Sequence, residues 1–159
     1  MANLYMKQQV FSWRDRFYVK NENGDDVYYV EGEIFSFGKR LHVYDKNGTQ
    51  VAFIGQKLLT FMPRFSIEIG GEFICDIVQN FTFFSQSYRL EHLPLRLEGD
   101  FFAHDYSLLS DNGEVVMRLE KKWFTWGDSY AMQIRGDASE LLCLCVALAV
   151  DCTMAQKND

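Results

Sequence analysis

The chain is poor in proline, with 2 in 159 residues, and it has no proline-rich or low-complexity stretch. That excludes a collagen-like or linker-dominated chain. It has no CxxC, and its three histidines, His42, His92 and His104, form no HxH or HxxxH arrangement. A metal needs convergent ligands, so none is expected. The stretch MANLYMKQQVFSWRDRF at the start lacks the apolar run and small-residue cleavage site of a signal peptide. The longest apolar run, Leu141 to Val150, has ten residues, and a membrane-spanning helix needs about twenty. Positive charge is short as well: 16 Lys and Arg stand against 22 Asp and Glu. A nucleic-acid binder needs a basic footprint, so no nucleic-acid partner is expected. These absences together predict a cytoplasmic protein, peripheral at a membrane at most.

Catalytic signatures are missing too. No Walker loop, GxGxxG, EF-hand loop or GxSxG occurs. Neither a cofactor nor a catalytic residue is assigned, and the chain is expected not to be an enzyme. The four cysteines, Cys75, Cys143, Cys145 and Cys152, read as buried small hydrophobes.

What is present is β-structure. Aromatic residues make up 16% of the chain and hydrophobic residues 48%, a composition that leans toward strands. The pairs Asn23-Gly24, Asn47-Gly48 and Asn112-Gly113 are hairpin signals between strand-like runs, and Gly70-Gly71 sits in the same way. Phe65, Ile67 and Ile69 share one face of a run whose other face carries Arg64, Ser66 and Glu68, the period of a half-buried strand. Such patterns place strands at 5–10, 16–20, 26–33, 40–45, 50–57, 64–69, 73–80, 86–91, 95–99, 104–109, 114–122 and 129–135. The segment from Asn47 matches that from Asn112, with Ile54 meeting Leu119, Phe65 meeting Tyr130 and Ile67 meeting Met132. This is a repeated meander within one sheet rather than a solenoid.

One segment breaks the pattern. Asp137 reads as a helix N-cap with Glu140 at the capping-box position. From Leu141 to Val150 the helix has no polar face, and a helix apolar all round is buried all round. A helix threaded through a closed β-barrel satisfies this. Eight strands leave room only for side chains, so a wider barrel of about twelve is expected. The predicted architecture is one domain over 1–159, mainly β: a closed, mostly antiparallel barrel over 4–136 around a central helix over 139–155.

The stretch GEIFSFGKRLHVYDKNGTQVAFIGQKLLTFMPRFSIEI, Gly32 to Ile69, and the closing helix from Leu141 resemble the LURP-one-related family of the tubby C-terminal-like superfamily. The resemblance covers nearly the whole chain and is similar to the small bacterial stand-alone members. It implies a twelve-stranded barrel around a central C-terminal helix. Tubby proteins of that superfamily bind phosphoinositide head groups through basic surface side chains. No stretch here matches their lipid-binding motif residue by residue, so the resemblance assigns no site.

Two basic spots remain as candidate ligand-binding residues. Lys39 and Arg40 follow Phe35-Ser36-Phe37-Gly38, while Lys121 and Lys122 precede Trp123 and Trp126. Lysines beside tryptophans at a loop suit an anionic interface. Phe81-Thr82-Phe83-Phe84 and Leu58-Leu59-Thr60-Phe61 occupy equivalent loops, and gathered at one barrel end they would form an apolar rim. The expected function is a non-enzymatic binding or adaptor module for a protein partner or an anionic phospholipid head group. The alternative is a hydrolase-like enzyme with an unrecognised site.

Overall fold

Alternating side chains give each run one dry face, and twelve such runs close on themselves. In a computed structural model, residues 2–7, 16–35, 38–58, 60–81, 86–124 and 127–155 are described, with backbone only for 7, 34, 35, 81, 86, 123, 124, 127, 128, 154 and 155. The strands are β1 (Ala2–Lys7), β2 (Arg16–Asn21), β3 (Asp26–Phe35), β4 (Gly38–Asp45), β5 (Gln50–Lys57) and β6 (Arg64–Ile69). There follow β7 (Glu72–Phe81), β8 (Gln86–Glu91), β9 (Leu95–Asp100), β10 (Asp105–Ser110), β11 (Val115–Phe124) and β12 (Gly127–Ile134). Each pairs antiparallel with its chain neighbours, and β1 closes the barrel onto β12. Among the described residues the single helix, α1, is Glu140–Ala155.

The expected barrel and its strand number are therefore present, with two local corrections. The first strand lies at Ala2–Lys7, not 5–10, because Ala2 registers with Ile134 and Lys7 with Ser129. That register turns Leu4 and Met6 into the core; residues 8–10 lie outside the described residues. The helix cap is Ser139, not Asp137. Ser139 Oγ accepts from the Leu142 amide at 3.1 Å, while Asp137 pairs with Arg135 one turn earlier. A hydroxyl at the residue just before the helix reaches the orphan amides, and a carboxylate two residues further back does not.

Three hairpins repeat one construction. Asn21 Oδ1 accepts from the amides of Asn23 and Asp25, and Asp45 Oδ1 from those of Asn47 and Thr49. Ser110 Oγ accepts from Glu114 in the third. Gly24, Gly48 and Gly113 follow with φ near +82°, a left-handed conformation that glycine adopts without penalty.

The helix occupies the lumen. Every residue from Cys143 to Val150 is buried, packed against wall residues such as Val30, Ile54, Phe65, Ile77, Leu108 and Met132. Being surrounded explains why the helix carries no polar stripe. Each large side chain so enclosed contributes about 1.5–3 kcal/mol of transfer free energy. All four cysteines are free and buried, and burial pushes the thiols of Cys75 and Cys143 up to about 12. Such thiols are inert at neutral pH. No helix among the described residues is long and apolar enough to cross a membrane.

Candidate functional site

The up-and-down topology gives the barrel two unlike ends. The tight turns 22–25, 46–49, 70–71 and 111–114 all lie at one end, with the entry to α1. The chain crosses between β5 and β6, β7 and β8, β9 and β10, and β11 and β12 at the other, where α1 ends. The segments expected to form an aromatic rim therefore share an end. Within it, Phe61 is 100% exposed, Phe102 67% and Leu58 46%. The side chains of Phe81, Trp123 and Trp126 and the segment 82–85 lie outside the described residues.

The strand pleat divides each basic pair. Lys39 points into the barrel with Leu41 and Val43 and is buried, while Arg40 points out, opposite Glu33 of β3. Lys122 points out and reaches Glu120 at 3.5 Å, in a row with Arg118 on the outer wall. Lys121 is exposed on the lumen side of the mouth, close enough to His104 to depress its pKa. The two lysines facing inward approach the C-terminal end of α1 from opposite sides of the barrel, Lys39 lying near Cys152. The helix has no basic residue in its own last turn. Cations placed there complement the negative end of its dipole. Lys39 and Arg40 thus do not form one surface patch, and neither do Lys121 and Lys122, because adjacent residues on a strand face opposite ways.

Around the same helix end the interior is polar. Asp151 is the one acidic residue between Leu141 and Ala155. Its Oδ1 lies 3.8 Å from His104 Nδ1, and the Tyr130 hydroxyl lies 3.4 Å from His104 Nε2. The His104 ring also packs at a tilt against that of Tyr130, with centroids 4.7 Å apart. His104 closes the turn after β9 with φ 54°. Burial pushes the Asp151 carboxyl up to about 7. Burial, then Lys121, lower His104, while Asp100 opposes them. Burial also raises Tyr106 and Tyr88. The sequence carried one signal for this cluster, a lone acid interrupting an apolar helix, and it reads equally well as the helix end.

A second charged group lies on the outer wall. Asp76 accepts from Ser66 Oγ at 2.6 Å, Arg64 at 2.7 Å and Lys57 at 3.1 Å. Arg64 also bonds Glu91. Asp76, Glu91 and His92 bring possible ligand atoms within 4.8 Å of one another. The protein's own cations already neutralise both carboxylates, so the group reads as an ion-pair network. An open concavity of about 410 Å³ over Val51, Phe53 and Glu68 lies on the outer wall near the tight-turn end.

A closed twelve-strand barrel threaded by its own C-terminal helix, with unlike ends, is the class of structure these features define. The LURP-one-related family model matches residues 2–151, and the chain belongs to that family. It is 33% identical to the uncharacterised protein YxjI of Bacillus subtilis (strain 168), over 100% of this chain and 98% of that protein. Its fold is similar to the X-ray structure of the Arabidopsis thaliana protein AT5G01750, with TM-score 0.63 at 13% identity, covering 94% of this chain and 90% of that one.

Proposed function

We propose that the protein is a non-enzymatic binding module whose loop-bearing end docks on an anionic phospholipid surface. The observation that carries this reading is the exposure of Phe61 and Phe102 at one end of the barrel. A large apolar side chain left in water forgoes about 1.5–3 kcal/mol of burial. Apolar groups gathered at one exposed end mark an interaction site. Arg40 and Lys122 lie on the outer face of the strands at that end, while Lys57 turns back to Asp76. A cation held near an anionic leaflet contributes about 1 kcal/mol. Tubby proteins, of the superfamily that the chain resembles through its LURP-one-related stretch, bind anionic lipid head groups, and this supports the same partner class. A hydrophobic-ligand carrier is disfavoured, because α1 already fills the lumen.

The test is co-sedimentation with phosphatidylcholine vesicles, with and without phosphatidylserine, at low and moderate salt. Salt-sensitive binding to the anionic vesicles, lost in Phe61→Ser/Lys122→Glu, is the expected result. Absence of binding under every condition overturns the lipid reading and leaves a protein partner for this end.

The alternative, an enzyme, has one observation in its favour, the Asp151–His104–Tyr130 alignment. Its spacings of 3.8 and 3.4 Å are longer than a working proton relay, and the Tyr130 side chain is buried.

A further inference from the structure

One seam of the barrel is joined differently from the rest. Among the described residues, β8 and β9 register at a single pair, Arg89 opposite Arg96. The seam between β1 and β2 has three such pairs, and the ladder between β11 and β12 has eight. Like charges directly opposite one another on antiparallel strands repel. Each guanidinium is instead held on its own side, Arg89 by Asn80 and Glu91, and Arg96 by Glu98.

The contacts that bridge this seam lie inside the barrel. Phe101, buried just beyond β9, meets Tyr88 of β8 edge-on at 4.7 Å and Tyr106 of β10 in a tilted contact at 5.1 Å. Gly99 makes that turn possible. Its φ is +141°, and a Cβ there would lie 2.6 Å from Tyr106 Cα. The last turns of α1 then reach both lips. The Thr153 hydroxyl lies 2.6 Å from that of Tyr88 on β8, and Asp151 lies 3.8 Å from His104 in the turn after β9.

We propose that the β8–β9 seam is the line along which this barrel opens, and that the C-terminal turn of α1 is the latch that holds it closed. Strands joined by few backbone hydrogen bonds open locally at a lower free energy than the whole fold. Opening here uncovers Tyr88, Phe101 and Tyr106 beside the exposed Phe102. The proposal does not depend on lipid docking, since it concerns the wall and not the ligand.

Hydrogen exchange read by mass spectrometry tests it on the intact protein. Amides of 86–91 and 95–100 are expected to exchange at least tenfold faster than those of β4, β5 and β6. Thr153→Val should accelerate the seam peptides about tenfold more than those of β4–β6, which respond only to the loss of global stability. Tyr88→Phe, which keeps the ring, should do the same and serves if the first variant does not fold. A disulfide from Arg89→Cys/Arg96→Cys should slow the seam and cancel the effect of Thr153→Val. Seam amides that exchange only with the whole barrel overturn the proposal. So does a Thr153→Val protein in which every strand accelerates equally.

Discussion

The hydroxyls of Tyr88 on β8 and Thr153 on the last turn of α1 lie 2.6 Å apart, and both side chains are buried. Thr153 Oγ1 also lies 2.7 Å from the Val150 carbonyl, which can only accept. The single proton of Thr153 therefore serves Val150, and Tyr88 donates to Thr153. Tyr88 in turn accepts from Gln79 Nε2 at 3.3 Å. A chain of bonds runs from β7 through β8 to the helix backbone, with each member polarising the next.

Cutting this chain has a defined cost. Thr153→Val keeps the shape and leaves the Tyr88 hydroxyl buried without its acceptor, which costs about 1–3 kcal/mol. Tyr88→Phe should cost a similar amount. The double variant should lose less than the sum of the two, since the second removal strands no new partner. Chemical denaturation of the four proteins measures the coupling. Strict additivity would mean that the two hydroxyls do not depend on each other.

Most of the wall was legible because a strand half in water must alternate. Phe65 and Ile67 against Ser66 and Glu68 leave little choice of face. The helix was legible for the opposite reason, since ten apolar residues without a polar stripe require enclosure on all sides. The binding surface was less legible. Composition placed Lys39 beside Arg40, but only the register of β4 shows that one faces the lumen and the other the outside. The Tyr88–Thr153 contact joins residues 65 apart in sequence. No local pattern announces a bond of that span, because it exists only once the barrel has closed around the helix.

Val146 offers the bluntest test of the threaded helix. Its exposure is 0%, and it sits in a stretch enclosed by the wall on every side. Val146→Asp places an unpaired carboxylate there, at a cost of several kcal/mol, against a total stability of about 5–15 kcal/mol. The variant should fail to fold or should melt far below the parent by circular dichroism. A normal melt would remove the helix from the lumen.

Asp76 tests the outer network. Burial pushes its carboxyl up, but the donors Ser66, Arg64 and Lys57 together outweigh burial and hold it below its ordinary value of 3.8. A carboxylate depressed by folding adds stability above its ordinary value, and that stability is lost as the pH falls through the folded value. Asp76→Asn should therefore cost about 1–3 kcal/mol at pH 7, with the gap closing toward pH 3. Urea denaturation at both pH values reads it. A gap that stays constant would show that the shape of the side chain matters and its charge does not.

Asp151 should behave in the opposite way. Burial raises its carboxyl from 3.8 to about 7, so the folded protein holds a proton that the unfolded chain releases. Such a group costs nothing below about pH 4. Its cost grows as the pH rises toward 7, and above 7 the full cost is present. The groups facing it are His104 after β9 and Tyr88 and Tyr106 on the wall, with Tyr130 and Lys121 beside His104 and Lys39 beside Cys152. His104, itself lowered by burial, costs stability in acid. It lies 3.8 Å from Asp151, so the two groups titrate together, and the comparison is cleanest above pH 7, where His104 is neutral in both proteins. Asp151→Asn mimics the protonated carboxyl at every pH. The variant should match the parent near pH 4 and exceed it at pH 8 by on the order of 3 kcal/mol. Melting temperature followed from pH 4 to 8 measures the divergence. Parallel curves would mean that Asp151 ionises as readily in the folded barrel as in the unfolded chain.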